Sequence, residues 1–406
     1  MNITPNSNRK HIGIYGNTNS GKSSLMNTIL GQDISLVSSV EGTTTDPVQK
    51  AMELIPFGPV LLIDTAGLED KTELGYIRIK KSYEFLKRLD FALYVVDAGN
   101  ADLDTYKVWK REAAKYNVDH VVVINKIDTV SKEEIDTLVK NFKSYVLVSA
   151  KDKVGIDDLR SEMIKHLEDG EEERPIVGDL LEYGSKVVLV VPVDSEAPKG
   201  RIILPQVQVI RDCLDHGIKT YVVRDTELKE AIEELKDIDL VITDSQAFKE
   251  VDSIIPKDLK LTSFSILFAR QKGEFNEFLK GTKKLDTLKP NDRILICESC
   301  SHNVSHEDIG RVKIPNMLRK IAGGDLNIDY MVGYDFKENV EDYDLIIHCG
   351  ACMVNRKSVL NKISECKEKN VPITNYGMVI AYFTKILDRS VEIFFIRFLF
   401  KVIHKV

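Results

Sequence analysis

The amino-acid sequence predicts an α/β fold of three successive domains, the first built on a parallel sheet and the other two smaller. Three observations predict it. Short apolar runs rich in β-branched residues alternate with charged, helix-like segments, as in βαβ units. The chain has 406 residues, which is more than one ordinary core requires. A charged segment that ends in proline, residues 168–175, separates the first series of runs from the rest.

The first domain spans residues 1–170. Its predicted strands are His11–Gly16, Val60–Asp64, Phe91–Asp97, His120–Asn125 and Tyr145–Ser149. Each is a mostly β-branched or aromatic run followed by turn-forming or polar residues. The charged segment after this domain is predicted to be a linker.

Two smaller domains follow, at 178–264 and 265–406. The second domain has a predicted helix near Ile202–Leu214 and predicted strands at Lys186–Val193, Tyr221–Val223 and Leu240–Thr243. The third has predicted strands at Arg293–Ile296, Ile328–Val332 and Tyr343–Ile347. The strand spacing again indicates βαβ units.

Composition excludes several classes of protein. Hydrophobic residues make up 43% and charged residues 29%, which is typical of a globular chain. The net charge of −7 argues against a dedicated nucleic-acid binder. No apolar run reaches the roughly 18 residues of a membrane span, and the first residues lack a signal-peptide core, so we expect a cytoplasmic protein. There the six cysteines are expected to be thiols or metal ligands rather than disulfides.

A phosphate-binding loop is predicted between the first strand and the helical segment that follows it. The residues from Gly16 to Ser23 fit G-x-x-x-x-G-K-[ST]. In this motif the backbone N–H groups surround the phosphates, Lys22 contacts the β- and γ-phosphates, and the Ser23 hydroxyl ligates Mg²⁺. The remaining predicted contacts to the nucleotide in this loop are Gly16, Asn19, Ser20, Gly21 and Ser24.

Asp64-Thr-Ala-Gly67 follows the second predicted strand. The Asp64 carboxylate can hold Mg²⁺ through water, and the Gly67 N–H can meet the γ-phosphate. Both residues are therefore predicted to complete the phosphate end of the site.

Two later motifs predict that the base is guanine. Asn125-Lys126-Ile-Asp128 follows an apolar strand, and Asp128 offers two acceptors to guanine N1–H and the 2-amino group, which adenine cannot match. Ser149 and Ala150 follow a further strand and suit a backbone contact to guanine O6. Four motifs in this order, each at the end of a strand, predict a GTP-binding and GTP-hydrolysing domain.

With these motifs the first domain resembles the Era/TrmE-like branch of the translation-factor class of P-loop GTPases. Gly42-Thr-Thr-Thr-Asp46 resembles the switch I motif of that branch, which implies that Thr44 ligates Mg²⁺. Leu68 resembles the hydrophobic residue that some of these GTPases carry after their DTAG motif. Several of them are activated by K⁺ through a P-loop asparagine, which implies Asn19 as a K⁺ ligand. The alternative is that Asn19 only tolerates the dihedral angles of the loop.

Four of the six cysteines form two pairs, Cys297–Cys300 and Cys349–Cys352, each directly after an apolar strand. If those strands are parallel neighbours, their carboxyl ends bring the thiolates to one crevice. The lone Cys213 and Cys366 fit buried core positions. The pairs predict a metal site. A Cys₄ zinc site is possible, but the 48 residues between the pairs exceed the usual roughly 15–20, and an iron–sulfur cluster tolerates such separation.

The pattern Cys300-x-His302 followed by His348-Cys349-x-x-Cys352 resembles the signature of the HydF family of FeFe-hydrogenase maturation GTPases. The resemblance implies that Cys300, Cys349 and Cys352 ligate a 4Fe-4S cluster. His302 and His348 are then candidates for the fourth ligand or for hydrogen bonding around the ligands. Cys297 lies outside the signature and would permit an all-cysteine site.

The same resemblance covers nearly the whole chain, because that family joins a GTPase domain (here 1–170), a dimerisation domain (178–264) and a cluster-binding domain (265–406). It implies a homodimeric scaffold or carrier that receives a diiron precursor from the radical-SAM maturases HydE and HydG. The cargo would then be delivered to the apo FeFe-hydrogenase HydA, with GTP controlling docking or release.

Two rival functions remain open at the level of the sequence. One is an RNA- or ribosome-associated Era/TrmE-like GTPase with a structural zinc site, against which the acidic composition argues. The other is a regulatory switch whose cluster senses redox state.

The apolar tail 391–406 is too short and too charged to span a membrane. It is expected either to be a buried terminal element or to bind an interface or partner.

Overall fold

The computed structural model describes residues 4–31, 38–40, 47–69, 73–168, 174–192, 202–299, 308–334, 336 and 339–395. The chain divides into two compact units, Met1–Glu172 and Glu173–Val406. Within the described ranges, no helix is long and apolar enough to cross a membrane. The predicted α/β class is confirmed in both units.

The first unit contains one sheet and five α-helices among its described residues. The strands are β1 (Lys10–Gly16), β2 (Ser38–Val40), β3 (Val48–Leu54), β4 (Gly58–Asp64), β5 (Phe91–Asp97), β6 (Asp119–Asn125) and β7 (Tyr145–Leu147). The helices are α1 (Lys22–Leu30), α2 (Glu73–Phe85), α3 (Leu103–Lys115), α4 (Lys132–Leu138) and α5 (Ile156–Glu168). The strand order is β2-β3-β4-β1-β5-β6-β7.

Parallel pairing runs from β4 through β1, β5 and β6 to β7. The pairs β2–β3 and β3–β4 are antiparallel. All five predicted strands of this domain are present, within a few residues of their predicted bounds. Strands β2 and β3 were not predicted from the sequence. Strand β2 has only three residues, and Gln, Lys and Glu interrupt β3 and weaken its strand signal.

Side chains that alternate along the strands form a core on each face of the sheet. Ile12 and Ile14 pack on one face with Leu25 of α1. Tyr15 packs on the other face with Trp109 of α3, which is fully buried. Both faces are therefore covered, as a parallel sheet requires.

In its described ranges, the second unit contains two four-stranded sheets in which every neighbouring pair is parallel. Its strands are β8 (Lys186–Val190), β9 (Lys219–Val223), β10 (Leu240–Thr243), β11 (Leu261–Ser263), β12 (Arg293–Glu298), β13 (Asn327–Val332), β14 (Leu345–His348) and β15 (Ile373–Asn375). The orders are β11-β10-β8-β9 and β13-β12-β14-β15. The helices are α6 (Leu204–Asp215), α7 (Leu228–Glu234), α8 (Phe248–Ile254), α9 (Phe264–Lys272), α10 (Phe275–Gly281), α11 (Ile314–Ala322), α12 (Arg356–Glu368), α13 (Tyr376–Phe383) and α14 (Leu387–Val391).

One continuous hydrophobic core joins the two sheets of this unit. It includes Val188 and Leu189 of the first sheet and Ile294 and Ile346 of the second. Helix α9 contacts α6, α12 and α13. The two smaller α/β domains thus share their core, and their division into dimerisation and cluster-binding domains stays a prediction.

The first residues of the apolar tail are buried in the second unit. Val391, Ile393 and Phe394 have little exposed surface. The ring centroids of Phe394 and Phe275 lie 4.8 Å apart. This part of the tail is therefore a packed terminal element, and residues 396–406 lie outside the described ranges.

We predict that acid destabilises the first unit through His120. The His120 Nε2 atom lies 3.0 Å from Tyr106 Oη, and the ring meets Trp109 edge-on. Burial, with a contribution from Lys110, lowers the pKa of His120 to about 4. An unfolded histidine titrates near about 6.5, so the unfolded chain binds the extra proton first. The free energy of unfolding should therefore fall as the pH decreases from about 6.5 to about 4.

His120→Gln keeps an acceptor for Tyr106 and removes the titration, so it should flatten this part of the pH dependence. Fluorescence of Trp109, the sole tryptophan, reports unfolding of the first unit in denaturant. Equal slopes of stability against pH in the wild type and His120→Gln would contradict the prediction.

Candidate functional site

The loop between β1 and α1 has a backbone that requires glycine at two positions. Gly16 and Gly21 have φ values of 142° and 94°. A Cβ atom at Gly16 would lie 2.2 Å from the carbonyl oxygen of Val95, and one at Gly21 would lie 2.2 Å from Asn125 Nδ2. Asn19 also has a positive φ, of 62°, which asparagine tolerates. The loop therefore takes the phosphate-binding form for which the motif was predicted.

Lys22 lies back across this loop. Its Nζ atom donates to the carbonyl oxygens of Gly16 and Asn17 at 3.0 and 2.7 Å. Burial lowers the pKa of Lys22, while Asp64 opposes that shift. The ammonium group is thus held against the carbonyl oxygens of the predicted phosphate loop.

Ser23 and Asp64 meet at the phosphate end of the site. The Ser23 hydroxyl donates to Asp64 Oδ2 at 2.5 Å. Burial raises the pKa of Asp64, although the Ser23 hydrogen bond and Lys22 act in the opposite direction. Asp64 Oδ1 is buried without a hydrogen-bond partner among the described residues. Two oxygen ligands, one of them a carboxylate with an unsatisfied oxygen, fit a Mg²⁺ site. The third predicted Mg²⁺ ligand, Thr44, lies outside the described residues.

The segment after β4 packs directly on the phosphate loop. A Cβ atom at Gly67 would lie 2.3 Å from Thr18 Oγ1 and 2.7 Å from the Thr18 backbone nitrogen. The Leu68 backbone N–H donates to the Gly16 carbonyl at 3.4 Å, and its side chain packs against the core that contains Tyr15. An aliphatic side chain at this position cannot orient water by hydrogen bonding.

Asn125 connects the loops that would surround the base. Its Nδ2 atom donates to the Ser20 carbonyl at 3.0 Å, and its Oδ1 atom accepts from the Ala150 N–H at 3.1 Å. The Ser149 hydroxyl donates to Asp128 Oδ1 at 2.7 Å, and this bond lowers the pKa of Asp128. The predicted base-reading residues are therefore brought together. The lowered pKa keeps the Asp128 carboxylate ionised, so it can accept hydrogen bonds.

Lys126 has a contact that the motif did not predict. Its Nζ atom lies 2.7 Å from Asp97 Oδ2, at the end of β5. Lys126 itself has a positive φ of 63°. This ion pair with Asp97 orients the Lys126 side chain. Asp97 could have been suspected from the sequence, because it is a polar residue at the end of a predicted strand.

A cavity of about 260 Å³ lies in the second unit at the carboxyl ends of β12 and β14. Cys349 and Cys352 both line it. The other lining residues include Glu298, Ser299, Asp308, Gly310, Tyr376, Ser245 after β10 and Phe264 at the start of α9. Cys300 and His302 lie outside the described residues. Within the described ranges, no three His, Cys, Asp or Glu side chains are grouped as a metal site.

The Cys349 sulfur accepts several hydrogen bonds. The Ser299 N–H donates to it at 3.1 Å, the Ser299 hydroxyl lies 3.0 Å away, and the Ala351 N–H lies 3.5 Å away. The Cys349 backbone N–H donates to the Cys297 carbonyl at 2.9 Å, which continues the β12–β14 ladder. Such donors suit an anionic sulfur that ligates a metal.

His348 and Cys297 lie side by side on paired strands, and neither is among the residues that line the cavity. His348 Nδ1 lies 3.0 Å from the Cys349 carbonyl, and because a carbonyl only accepts, Nδ1 carries the proton. Burial, with Lys362, lowers the pKa of His348 to about 3. Burial raises the pKa of Cys297 to about 12. This placement favours hydrogen bonding around the ligands for His348 and a packing role for Cys297.

Two polar groups face the cavity without partners. Tyr376 Oη and Glu298 Oε1 are buried and make no hydrogen bond among the described residues. A Cβ atom at Gly310 would lie 2.3 Å from the first and 2.7 Å from the second, so Gly310 packs closely against both, and all three residues line the cavity. Arg311 holds the other carboxylate oxygen of Glu298 at 2.6 Å. Tyr376 belongs to no motif, and Glu298 and Ser299 are the unspecified positions between Cys297 and Cys300, so none of the three could be singled out from the sequence.

Three family models match the chain in succession. The first is described as a 50S ribosome-binding GTPase and matches residues 11–126. The second is the hydrogen maturase F dimerization domain, over residues 176–273. The third is the hydrogen maturase F tetramerization domain, over residues 276–393.

Curated relatives match part of the chain. GTPase Der of Persephonella marina is 34% identical over an alignment of 167 residues that covers 37% of this chain and 37% of that protein. The tRNA modification GTPase MnmE of Flavobacterium psychrophilum is 29% identical over an alignment of 164 residues that covers 39% of this chain and 35% of that protein. The chain thus spans little more than a third of these relatives' length.

Among solved structures, an Era variant of Aquifex aeolicus bound to GDP·AlF₄⁻ is 20% identical, with a TM-score of 0.34. The match covers 60% of this chain and 97% of that one.

The family models decide the family of the chain. A GTPase family model matches residues 11–126 of the first unit, and both family models that match the second unit describe hydrogen maturase F. The chain therefore belongs to the hydrogen maturase F family.

Proposed function

We propose that this protein is a GTPase and an iron–sulfur scaffold that receives a diiron precursor and delivers it to an apo FeFe-hydrogenase. The observation that carries the proposal is the position of Cys349 and Cys352. Both line one cavity in the unit that matches hydrogen maturase F, in a chain that also has a GTP-type loop set. The radical-SAM maturases HydE and HydG would supply the precursor, and HydA would receive it.

GTP binding and hydrolysis are supported by the arrangement around the phosphate loop. The loop N–H groups and Lys22 would hold the phosphates, and the Gly67 N–H would meet the γ-phosphate. Ser23 and Asp64 would hold Mg²⁺, which supplies positive charge to the phosphate oxygens when it is bound. Since Leu68 cannot position the attacking water, we expect slow turnover that depends on a further positive charge.

The cysteine-lined cavity fits a 4Fe-4S cluster by the chemistry of its donors. Cys349 and Cys352 would supply two thiolates and Cys300 the third, with His302 as the candidate near the fourth iron and His348 as a hydrogen-bonding residue around the ligands. Bound there, the cluster supplies an iron that can exchange its outer ligand. Tyr376 and Glu298, which line the cavity with unpaired polar atoms, would hydrogen-bond whatever occupies the rest of it.

We also propose that the protein acts as a homo-oligomer in the cytoplasm, where thiols stay reduced. The dimerisation domain would be 178–264 and the cluster-binding domain 265–406. Strand β9 is at the edge of its sheet, and Val222 on it is 45% exposed. Leu214 of the adjacent α6 is 65% exposed. Apolar side chains beside a sheet edge are typical of an interface with another chain.

A second candidate function is a ribosome- or RNA-associated GTPase with a structural zinc. The description of the model that matches residues 11–126 favours it, and the hydrogen maturase F models over the second unit count against it. Anaerobic reconstitution with iron and sulfide, followed by iron, sulfide and zinc determination, separates the two. Stoichiometric zinc without iron would exclude the scaffold function.

Asp128→Asn should change nucleotide preference. The carboxylate reads two guanine donors, whereas an amide offers one acceptor and one donor, which suits xanthine. We expect affinity for GTP to fall by a factor on the order of 10⁴, the scale reached when polar groups that a ligand covers lose their hydrogen-bond partners, while affinity for XTP rises. Displacement of a fluorescent GDP analogue by GTP, XTP and ATP measures this. Equal affinity of the wild type for ATP and GTP would refute the guanine assignment.

GTP turnover should depend on K⁺ and lose that dependence in Asn19→Ala. A monovalent ion held by Asn19 would supply the charge that a water-orienting residue does not. Phosphate release is measured in KCl and in NaCl at equal ionic strength. Asn117→Ala is a matched control, because Asn117 also has a positive φ, of 50°, but lies far along the chain between α3 and β6. Identical turnover in both salts would leave Asn19 as a loop residue.

Single alanine variants of Cys300, Cys349 and Cys352 should each lose most bound iron, because the cluster charge loses a thiolate. Iron and sulfide are measured after anaerobic reconstitution. Cys213→Ala and Cys366→Ala are matched controls and should retain the cluster, since both thiols are buried in the core.

In the same series Cys297→Ala tests the number of thiolate ligands. Retention of iron supports three cysteine ligands, whereas loss equal to that of Cys349→Ala requires a Cys₄ site. All variants should bind GTP, because the nucleotide residues belong to the other compact unit. Loss of GTP binding together with iron would contradict the modular arrangement.

A further inference from the structure

We propose that Ser299 sets the reduction potential of the cluster through hydrogen bonds to the Cys349 sulfur. The inference rests on the proposed cluster function and adds a residue to it. Ser299 occupies an unspecified position of the Cys297–Cys300 pair, and its contact with Cys349 singles it out. It is a positioning residue, since it acts on the iron through the sulfur and does not ligate the metal.

The geometry gives Ser299 two donors to one acceptor. Its backbone N–H donates to Cys349 Sγ at 3.1 Å, and its hydroxyl oxygen lies 3.0 Å from the same sulfur. In the free protein either the hydroxyl or the thiol could donate in the second contact. Once Cys349 binds iron it has lost its proton, so only the serine hydroxyl can donate.

The surrounding backbone holds this contact in place. Ser299 directly follows β12 and Cys349 directly follows β14, and these strands are paired from Ile294↔Leu345 to Cys297↔His348. The Cys349 N–H then donates to the Cys297 carbonyl at 2.9 Å. Ser299 is also 7% exposed, so water does not readily replace its hydroxyl.

The sign of the effect follows from charge. Reduction adds an electron to the cluster and increases the negative charge on its sulfur ligands. Hydrogen-bond donors stabilise that charge, so they favour the reduced form and raise the reduction potential. Removal of the Ser299 hydroxyl should therefore lower the midpoint potential, while the Ser299 N–H still donates.

The test uses the full-length protein reconstituted anaerobically with iron and sulfide. EPR-monitored reductive titration gives the midpoint potential of the wild type, Ser299→Ala, Ser299→Thr and Ser390→Ala. Ser390→Ala is the matched control, because it deletes a fully buried hydroxyl of the same unit that donates to the Leu387 carbonyl and is not among the cavity-lining residues.

We expect a lower midpoint potential in Ser299→Ala at unchanged iron content, with Ser299→Thr and Ser390→Ala close to the wild type. Iron loss in Ser299→Ala that Ser299→Thr restores would also support a positioning role for the hydroxyl. A wild-type potential in iron-loaded Ser299→Ala, or an equal shift in Ser390→Ala, overturns the inference and leaves the cluster proposal intact. Absence of iron and sulfide from the wild type overturns both.

Discussion

The parallel pairing of strands is the constraint on which both sites depend. A parallel strand is covered on its two faces, so its own side chains are mostly apolar and polar residues collect where the strands end. In the first unit β1, β4 and β6 end at Gly16, Asp64 and Asn125. In the second unit β12 and β14 end directly before Ser299 and Cys349. Because the register of paired strands is fixed, side chains far apart in sequence arrive at one edge of a sheet.

A buried polar residue at each edge then connects the loops that leave the sheet. Asn125 bonds the phosphate loop through the Ser20 carbonyl and the base-side loop through the Ala150 N–H. Ser299 plays the corresponding part beside Cys349. Since these groups are buried and paired within the protein, the loops are positioned before a ligand binds, which reduces the ordering that binding requires.

What could be predicted from the sequence was determined by whether the residues form a contiguous pattern. Strands Phe91–Asp97 and Leu240–Thr243 have their predicted bounds because they are uninterrupted apolar runs. Strands β3, β11 and β15 were not predicted, since the first is interrupted by polar residues and the other two have three residues each. The nucleotide motifs identified Lys22 and Asp128. By contrast, Tyr376 reaches the cavity that Glu298 and Ser299 also line, and Ser299 meets Cys349, only through strand register and helix packing, which a single sequence does not display.

Unsatisfied polar groups tie the occupancy of each site to the stability of its own unit. Asp64 Oδ1 in the first unit, and Tyr376 Oη and Glu298 Oε1 in the second, have no hydrogen-bond partner among the described residues. Each such group costs about 1–3 kcal/mol when it is buried unpaired, a sizeable part of a domain stability of roughly 5–15 kcal/mol. A ligand at 100 times its Kd contributes about 2.7 kcal/mol to the folded state that binds it. Because the two sets of groups lie in different compact units, nucleotide stabilises one and cavity ligand the other.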